Sequence, residues 1–347
     1  MDNNFSAFAN SFANQQDETR QEAQNSHSRN EHQQTAQWYA DKFRCIGGSM
    51  MDRIEFKQEN LIQPSAPKDA IVEFIINTIQ QNKRFETDIQ AKLEEWKFDC
   101  VDCRYSVILP QLTKEKLLIL VDCLPKKTVP TAACNTLLLE FAYQFILDMP
   151  SVQQVKSKSL EHGIEHESSA LDAFEQWYRE NENSEDLIIQ TGFIRWNKNE
   201  RIGASPDALV KDRNGNIKAI VEIKCPYNGG NHINTLLTNS VDKRYTKQVY
   251  GNMLVTGAQV GYFVSYAPNV YLEDKKLAVV KVDSAHVEHE RQIDMLAADL
   301  NRFCSALDNI LLQLKIEDRR FGAIAVNREF FEKFSNDELP YSDEIDY

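Results

Sequence analysis

The chain has 347 residues, of which 42% are apolar or aromatic, and a formal net charge of -13. That content suits a globular protein with a proper core, and the acidic balance argues against a protein that coats nucleic acid non-specifically. No apolar run is long enough to span a bilayer, no signal-peptide pattern opens the chain, and seven cysteines without secretory features point to reduced thiols inside a cell.

Residues 1 to about 36 are rich in Asn, Gln, Ser and Glu and contain no Leu, Ile or Val, which is the composition of a disordered tail. Phe5, Phe8 and Phe12 lie there at helical spacing; a flexible arm is a simpler reading than docking on a partner. Helices are expected near 36–54, 68–98, 131–147, 156–182, 241–257 and 285–317. Strands are expected near 187–196, 202–211, 217–225, 259–267 and 276–283, and residues 335–347 form an acidic tail. Hairpin-connected strands among helices predict an α/β (α+β) domain over 37–334, a central mixed sheet flanked by helices.

The most informative stretch is one hairpin. Ile202-Gly-Ala-Ser-Pro-Asp-Ala-Leu-Val-Lys-Asp212 and Ile217-Lys-Ala-Ile-Val-Glu-Ile-Lys-Cys225 read as strands joined through Asn214-Gly215, a strong turn signal. With these two as the turn, Asp207 faces Glu222 and Ser205 faces Lys224, all on one side of the sheet. Like charges directly opposed destabilise a sheet unless a cation sits between them. A divalent metal on oxygen ligands beside a lysine is equipment for cleaving phosphodiesters. The plain alternative is a surface hairpin with mixed charges. Against it, Glu222 interrupts the apolar run Ala219-Ile-Val-Glu-Ile223, where a solvated face would be more polar.

Further candidates flank the hairpin. Leu160, Ile164, Glu167, Leu171, Phe174 and Tyr178 recur at helical steps as an expected buried seam, which gives Glu167 a core position. A buried carboxylate is costly unless paired or metal-bound, and a salt bridge to a neighbouring helix is the competing reading. Downstream, Gln248 sits amid Tyr245, Val249 and Met253, near Lys243, Arg244 and Lys247, and can orient a water or ligand or simply bond a loop.

Ser205-Pro-Asp207 with Glu222-Ile-Lys224-Cys-Pro-Tyr227 resembles the active-site signature of the lambda-exonuclease (YqaJ-type viral recombinase) family, within the PD-(D/E)XK nuclease superfamily. Trp38-Tyr-Ala-Asp-Lys-Phe-Arg-Cys-Ile46-Gly-Gly-Ser49 is similar to its N-terminal motif. Lys158-Ser-Leu-Glu-His-Gly163-Ile-Glu-His-Glu167 is similar to its Gly-x-x-x-Glu helix, and Tyr245-Thr-Lys-Gln248-Val to its Gln-bearing helix. The long final helix fits as well, so the likeness runs over roughly 37–317.

The resemblance implies a PD-(D/E)XK restriction-endonuclease-like core and a metal-dependent exonuclease that digests one strand of duplex DNA from 5′ ends, in recombination, repair or replication. It implies that Asp207, Glu222 and the Ile223 carbonyl hold Mg²⁺ (or Mn²⁺), with Glu167 completing the shell of a second ion. Lys224 would orient or deprotonate the attacking water, supported by Gln248. Ser49, Ser205 and a basic residue, Lys42 or Arg44, would grip the terminal phosphate, with Lys158 near the DNA. Relatives form rings and pair with a single-strand-annealing protein, so both are expected partners beside duplex DNA ends, in an intracellular compartment. Two alternatives stand beside this: a structure-specific endonuclease or nickase using the same centre, and a non-catalytic DNA-end-binding scaffold.

The sequence departs from the family at several points. Lys42 stands where the family favours Arg, Gly47 replaces a usual Thr, and no Arg follows Tyr227 closely. The stretch of about 54–130 is an atypical insertion containing Cys100-Val-Asp-Cys103, with Cys123 nearby and Cys134 just beyond. These spacings are not a standard zinc pattern, and although some related nucleases carry an iron–sulfur cluster, ordinary buried thiols are the expectation.

Overall fold

The computed structural model describes residue 38 and residues 41–98, 104–147, 157–183 and 185–316. The tails expected over 1–36 and 335–347, and Cys100 and Cys103, lie outside the described residues. No helix among those described is long and apolar enough to cross a membrane.

Glu55–Asn135 forms one compact unit and the remainder a second. In the smaller, β1 (Phe56–Asn60), α1 (Lys68–Gln81), α2 (Arg84–Glu95), α3 (Lys114–Asp122) and β2 (Lys126–Pro130) follow in order. β1 and β2 pair antiparallel, Phe56 opposite Pro130. Ile71, Ile75 and Ile79 recur along one face of α1 and pack with Ile89 and Leu93 of α2 and Leu117 and Leu120 of α3. The single helix expected over 68–98 is therefore two. Asn82 is extended, and its side chain accepts from the Arg84 N–H at 3.1 Å, so a short polar side chain competes for backbone bonds and breaks the helix. Cys123 is half-buried and Cys134 buried, both as thiols.

The larger unit contains α4 (Ala132–Leu147, most of which lies in it), α5 (Lys158–Asn181), β3 (Leu187–Ile189), β4 (Ile194–Trp196), β5 (Asn199–Ala204), β6 (Ala208–Lys211) and β7 (Ile217–Lys224). It continues with α6 (Gly229–Thr238), α7 (Lys243–Thr256), β8 (Val260–Tyr266), β9 (Leu277–Asp283) and α8 (Val287–Gln313). The main sheet runs β3-β6-β7-β8-β9. β7 and β8 are parallel and every other pair antiparallel, so the sheet is mixed, as expected. Ala170, Leu171, Phe174 and Tyr178 of α5 pack on Ala208, Val210, Ala219, Val221 and Tyr262.

Three expectations change. Of the helix expected over 36–54, Trp38, Asp41 and Lys42 are helical, and the rest gives way to a left-handed turn at Arg44 (φ 58°), a parallel bridge between Ile46 and Ile202, and a 3-10 helix at Gly48–Arg53. The Ile46 backbone is spent on β5, donating to Arg201 O at 2.7 Å and accepting from Gly203 N at 2.9 Å. The strands expected over 187–196 and 202–211 each split between two sheets. At the second break stands Ser205-Pro206-Asp207, where proline has no N–H for a ladder and restricts the residue before it. On α5 the expected seam is buried only from Ala170 onward; Leu160 and Ile164 are exposed and Glu167 is half-buried, because the helix meets the sheet's apolar side chains only in its later turns.

Candidate active site

The hairpin keeps its expected register where it matters. Ala208 opposes Val221, Leu209 opposes Ile220 and Val210 opposes Ala219. The turn itself is wider than two residues: Asp212 accepts from the N–H groups of Asn214 and Asn216 at 2.8 Å each, and Gly215 takes φ 84°, which glycine alone adopts readily. A bulge beside Lys211 absorbs the extra residue. Asp207 N donates to Val221 O at 3.0 Å, so Asp207 continues the ladder next to Glu222.

Asp207 Oδ2 accepts from Ile223 N at 2.6 Å. In an extended strand the N–H and C=O of one residue point to the same edge, so the Ile223 carbonyl faces the Asp207 edge too. Glu222 is 1% exposed. Its Oε1 accepts from the Lys224 ammonium and, at 2.5 Å, from Gln248 Nε2; its Oε2 accepts from Asn252 Nδ2 at 2.8 Å. Lys224 remains a quarter exposed, with its ammonium 5.1 Å from the Tyr245 ring centroid. Tyr245 in turn stacks on Phe263.

Burial pushes the Glu222 carboxyl well above the usual carboxylate range; the Lys224 ammonium opposes that shift and the Asp207 charge adds to it. Burial alone would lower Lys224, but the Glu222 and Asp207 carboxylates outweigh it and hold the ammonium above its ordinary value. One buried acid, one neighbouring carboxylate and one lysine thus share charge in a space where a cation is favoured. The donor chemistry fits a hard divalent ion: carboxylate oxygens from Asp207 and Glu222, with the Ile223 carbonyl on the same edge.

Asn252 is the site residue that sequence reasoning missed. It lies four residues after Gln248, so α7 presents two amides on one face to the same carboxylate. It is fully buried, and its Oδ1 has no hydrogen-bond partner. A Cβ at Gly48 would fall 2.9 Å from that oxygen, so this position suits only glycine. The Asn252 bond favours the charged form of Glu222. Asn252→Leu is therefore expected to cost about 1.5–3 kcal/mol, the range for a bond to a charged group. Urea denaturation should show that loss at pH 8, and a smaller one as pH falls and Glu222 takes up its proton.

The other expected residues fall in several places. Glu167 is half-buried on α5, one turn before Ala170 meets the sheet. Lys158 is exposed at the first residue of α5. Trp38 Nε1 donates to Ser205 Oγ at 3.0 Å, and the Lys42 ammonium sits 3.9 Å from the Trp38 ring centroid. Burial lowers Lys42 to about 8. Ser49 is exposed, whereas Arg44 is buried with its guanidinium 4.6 Å from the Phe43 ring and 4.5 Å from the Phe145 ring.

Residues 126–259 match the family model of the YqaJ-like viral recombinase domain. No curated protein matches the chain. Among solved structures, the chain is similar to an alkaline exonuclease from Laribacter hongkongensis (17% identity, 81% of this chain and 98% of that one, TM-score 0.47). The same exonuclease in complex with dAMP gives 18% identity with the same coverage and TM-score. A phage-related exonuclease from Haemophilus somnus 129PT matches at 14% identity over 53% of this chain and 85% of that one, with a TM-score of 0.36. The family match is narrower than the resemblance over 37–317, yet it takes in Glu167, the Asp207–Glu222–Lys224 hairpin, Gln248 and Asn252. Residues 126–259 of this chain are thus similar to a YqaJ-like viral recombinase domain.

Proposed function

We propose that this protein is a divalent-metal-dependent deoxyribonuclease that digests one strand of duplex DNA from a 5′ end. The observation that carries the reading is the convergence of Asp207, Glu222 and Lys224 at the break between β5 and β6, with Glu222 buried and held by three side-chain donors. Asp207, Glu222 and the Ile223 carbonyl would hold Mg²⁺ or Mn²⁺, with Glu167 serving a second ion. Bound there, such ions supply an activated water and neutralise charge on the leaving oxygen.

The chain's own residues do the rest. Gln248 and Asn252 fix both oxygens of Glu222, so the carboxylate cannot rotate away from the reacting edge. Lys224, kept protonated by its two carboxylates and partly open to solvent, is placed to orient water and donate to a phosphoryl oxygen. Requirement for Mg²⁺ or Mn²⁺ is tested by digestion after chelation and metal add-back; activity that persists in chelator would overturn it.

Polarity rests on the pocket near Trp38. Lys42 is a desolvated ammonium, and among the described residues no carboxylate pairs with it, which makes a terminal phosphate a fitting counterion. Ser205 is joined to it through Trp38, and the exposed Ser49 would add a hydroxyl. Ser49→Ala combined with Lys42→Ala should slow digestion of 5′-phosphorylated ends most, measured against 5′-hydroxyl ends. Because Lys42 sits at about 8, binding of phosphorylated ends should weaken as pH rises from 7 to 9. Lys42→Arg should flatten that dependence, since guanidinium stays charged. An identical pH profile in Lys42→Arg would remove Lys42 from the pocket.

A further inference from the structure

α5 carries a second cluster of ligating side chains that the reaction does not use. His162, Glu165 and His166 occupy positions i, i+3 and i+4, so the helix puts all three on one face. One donor atom from each lies within 4.8 Å of the other two. The imidazoles meet edge to face with centroids 4.4 Å apart, and His166 Nε2 lies 3.8 Å from Glu165 Oε2. Both histidines are half-buried and Glu165 is exposed, so the cluster opens to solvent on one side.

We infer that His162, Glu165 and His166 form a binding site for a transition-metal dication of the Zn²⁺ type, separate from the Asp207–Glu222 centre. Two nitrogen donors and one carboxylate match the ligand set that suits Zn²⁺, whereas Mg²⁺ prefers oxygen donors alone. Tetrahedral Zn²⁺ with bonds near 2.0–2.1 Å needs donors about 3.3 Å apart, within reach of small rotamer changes from the present spacing. Three protein ligands leave a fourth position, on the solvent side, for water. The neighbourhood gives such an ion a structural consequence. Tyr227 packs edge-on against His162 with centroids 5.7 Å apart, and it follows Lys224 by three residues. An ion on His162 would therefore tie the early turns of α5, beside Glu167, to the segment leaving the lysine.

The test uses the full chain carrying Glu222→Gln, so that the carboxylate centre does not compete, with Zn²⁺ as the probe in excess Mg²⁺. Calorimetric titration should show a Zn²⁺ equivalent that Mg²⁺ does not displace. Adding His162→Ala or His166→Ala should weaken that equivalent by more than about 10-fold, since loss of mere outer-shell partners already costs 10–100-fold. Glu165→Gln should weaken it as well. Both histidine changes sit on a partly exposed helix face where alanine is the better helix former, and circular dichroism will confirm the fold. In wild type and in Glu222→Gln, Zn²⁺ should raise the melting temperature, and it should raise it less in the histidine variants. Unchanged Zn²⁺ stoichiometry and affinity in both histidine variants, or displacement of the ion by Mg²⁺, overturns the site without touching the nuclease reading.

Discussion

Lys224→Ala is expected to abolish cleavage of duplex DNA while leaving the protein folded. The ammonium binds Glu222 directly, lies near Asp207 through their shared charge, and keeps a solvent-facing side from which to meet substrate. Loss of a positioned proton donor or acceptor commonly costs 10²–10⁴-fold in rate, and here the same group also neutralises two carboxylates. Without Lys224, the buried Glu222 loses the cation that most opposes its proton uptake, so its carboxyl should climb further. Mg²⁺ should bind more weakly at neutral pH as a result, because protonation competes with the metal. Rate measurements across Mg²⁺ concentrations separate the two effects: excess Mg²⁺ should restore occupancy but not cleavage. Full cleavage by a folded Lys224→Ala protein removes the lysine from the reaction.

Glu222→Gln should likewise eliminate activity, by at least about 10³-fold, since metal-mediated charge stabilisation is worth several kcal/mol at 1.36 kcal/mol per tenfold. Its effect on stability should be the reverse of an ordinary core mutation. The folded-state carboxyl of Glu222 is raised above its unfolded value, so its contribution to stability is present at low pH and is lost as pH rises through the folded value. The amide carries no such penalty. It also keeps a carbonyl for Gln248 or Lys224, while its NH₂ can meet the Asn252 Oδ1 that lacks a partner, after a flip of the Asn252 amide. In metal-free buffer at pH 8, the variant should melt at or above the wild-type temperature, and the difference should shrink as pH falls through about 7, where the folded wild-type carboxyl protonates, until little of it remains near the unfolded value. Asp207→Asn should behave similarly, because it removes the charge that raises Glu222 further. Marked destabilisation of both variants at pH 8 would make the pair a structural element instead of a metal site.

The hairpin was legible in the sequence because its determinants are local. Alternation fixes which side chains share a face, and the buried run around Glu222 admits a single register, so Asp207 lies beside Glu222 even though the turn is wider than Asn214-Gly215 alone. The long helices α5, α7 and α8 were legible from apolar periodicity for the same reason. Asn252 was not, because nothing in a linear pattern marks a buried amide until the crossing of α7 over β7 brings it to Glu222. Periodicity also placed Leu160, Ile164 and Glu167 on the apolar face of α5, but burial depends on what lies opposite, and that begins only at Ala170. Near the N-terminus, helical spacing lost to the backbone bonds that Ile46 makes with Arg201 and Gly203. Those same bonds leave Trp38 and Lys42 beside Ser205, a grouping that spans 167 positions of sequence from Trp38 to Ser205.

Digestion of matched linear and closed circular duplexes by the purified chain, with and without Mg²⁺ and with each end separately labelled, decides whether the Asp207–Glu222–Lys224 centre is that of a 5′→3′ exonuclease. Mg²⁺-dependent loss of the linear duplex from its 5′ ends, intact circles, and no reaction with Lys224→Ala are the expected results. Efficient cutting of closed circles, or release of 3′-terminal nucleotides first, would contradict the exonuclease polarity, and absence of any cleavage in Mg²⁺ or Mn²⁺ would contradict the nuclease itself.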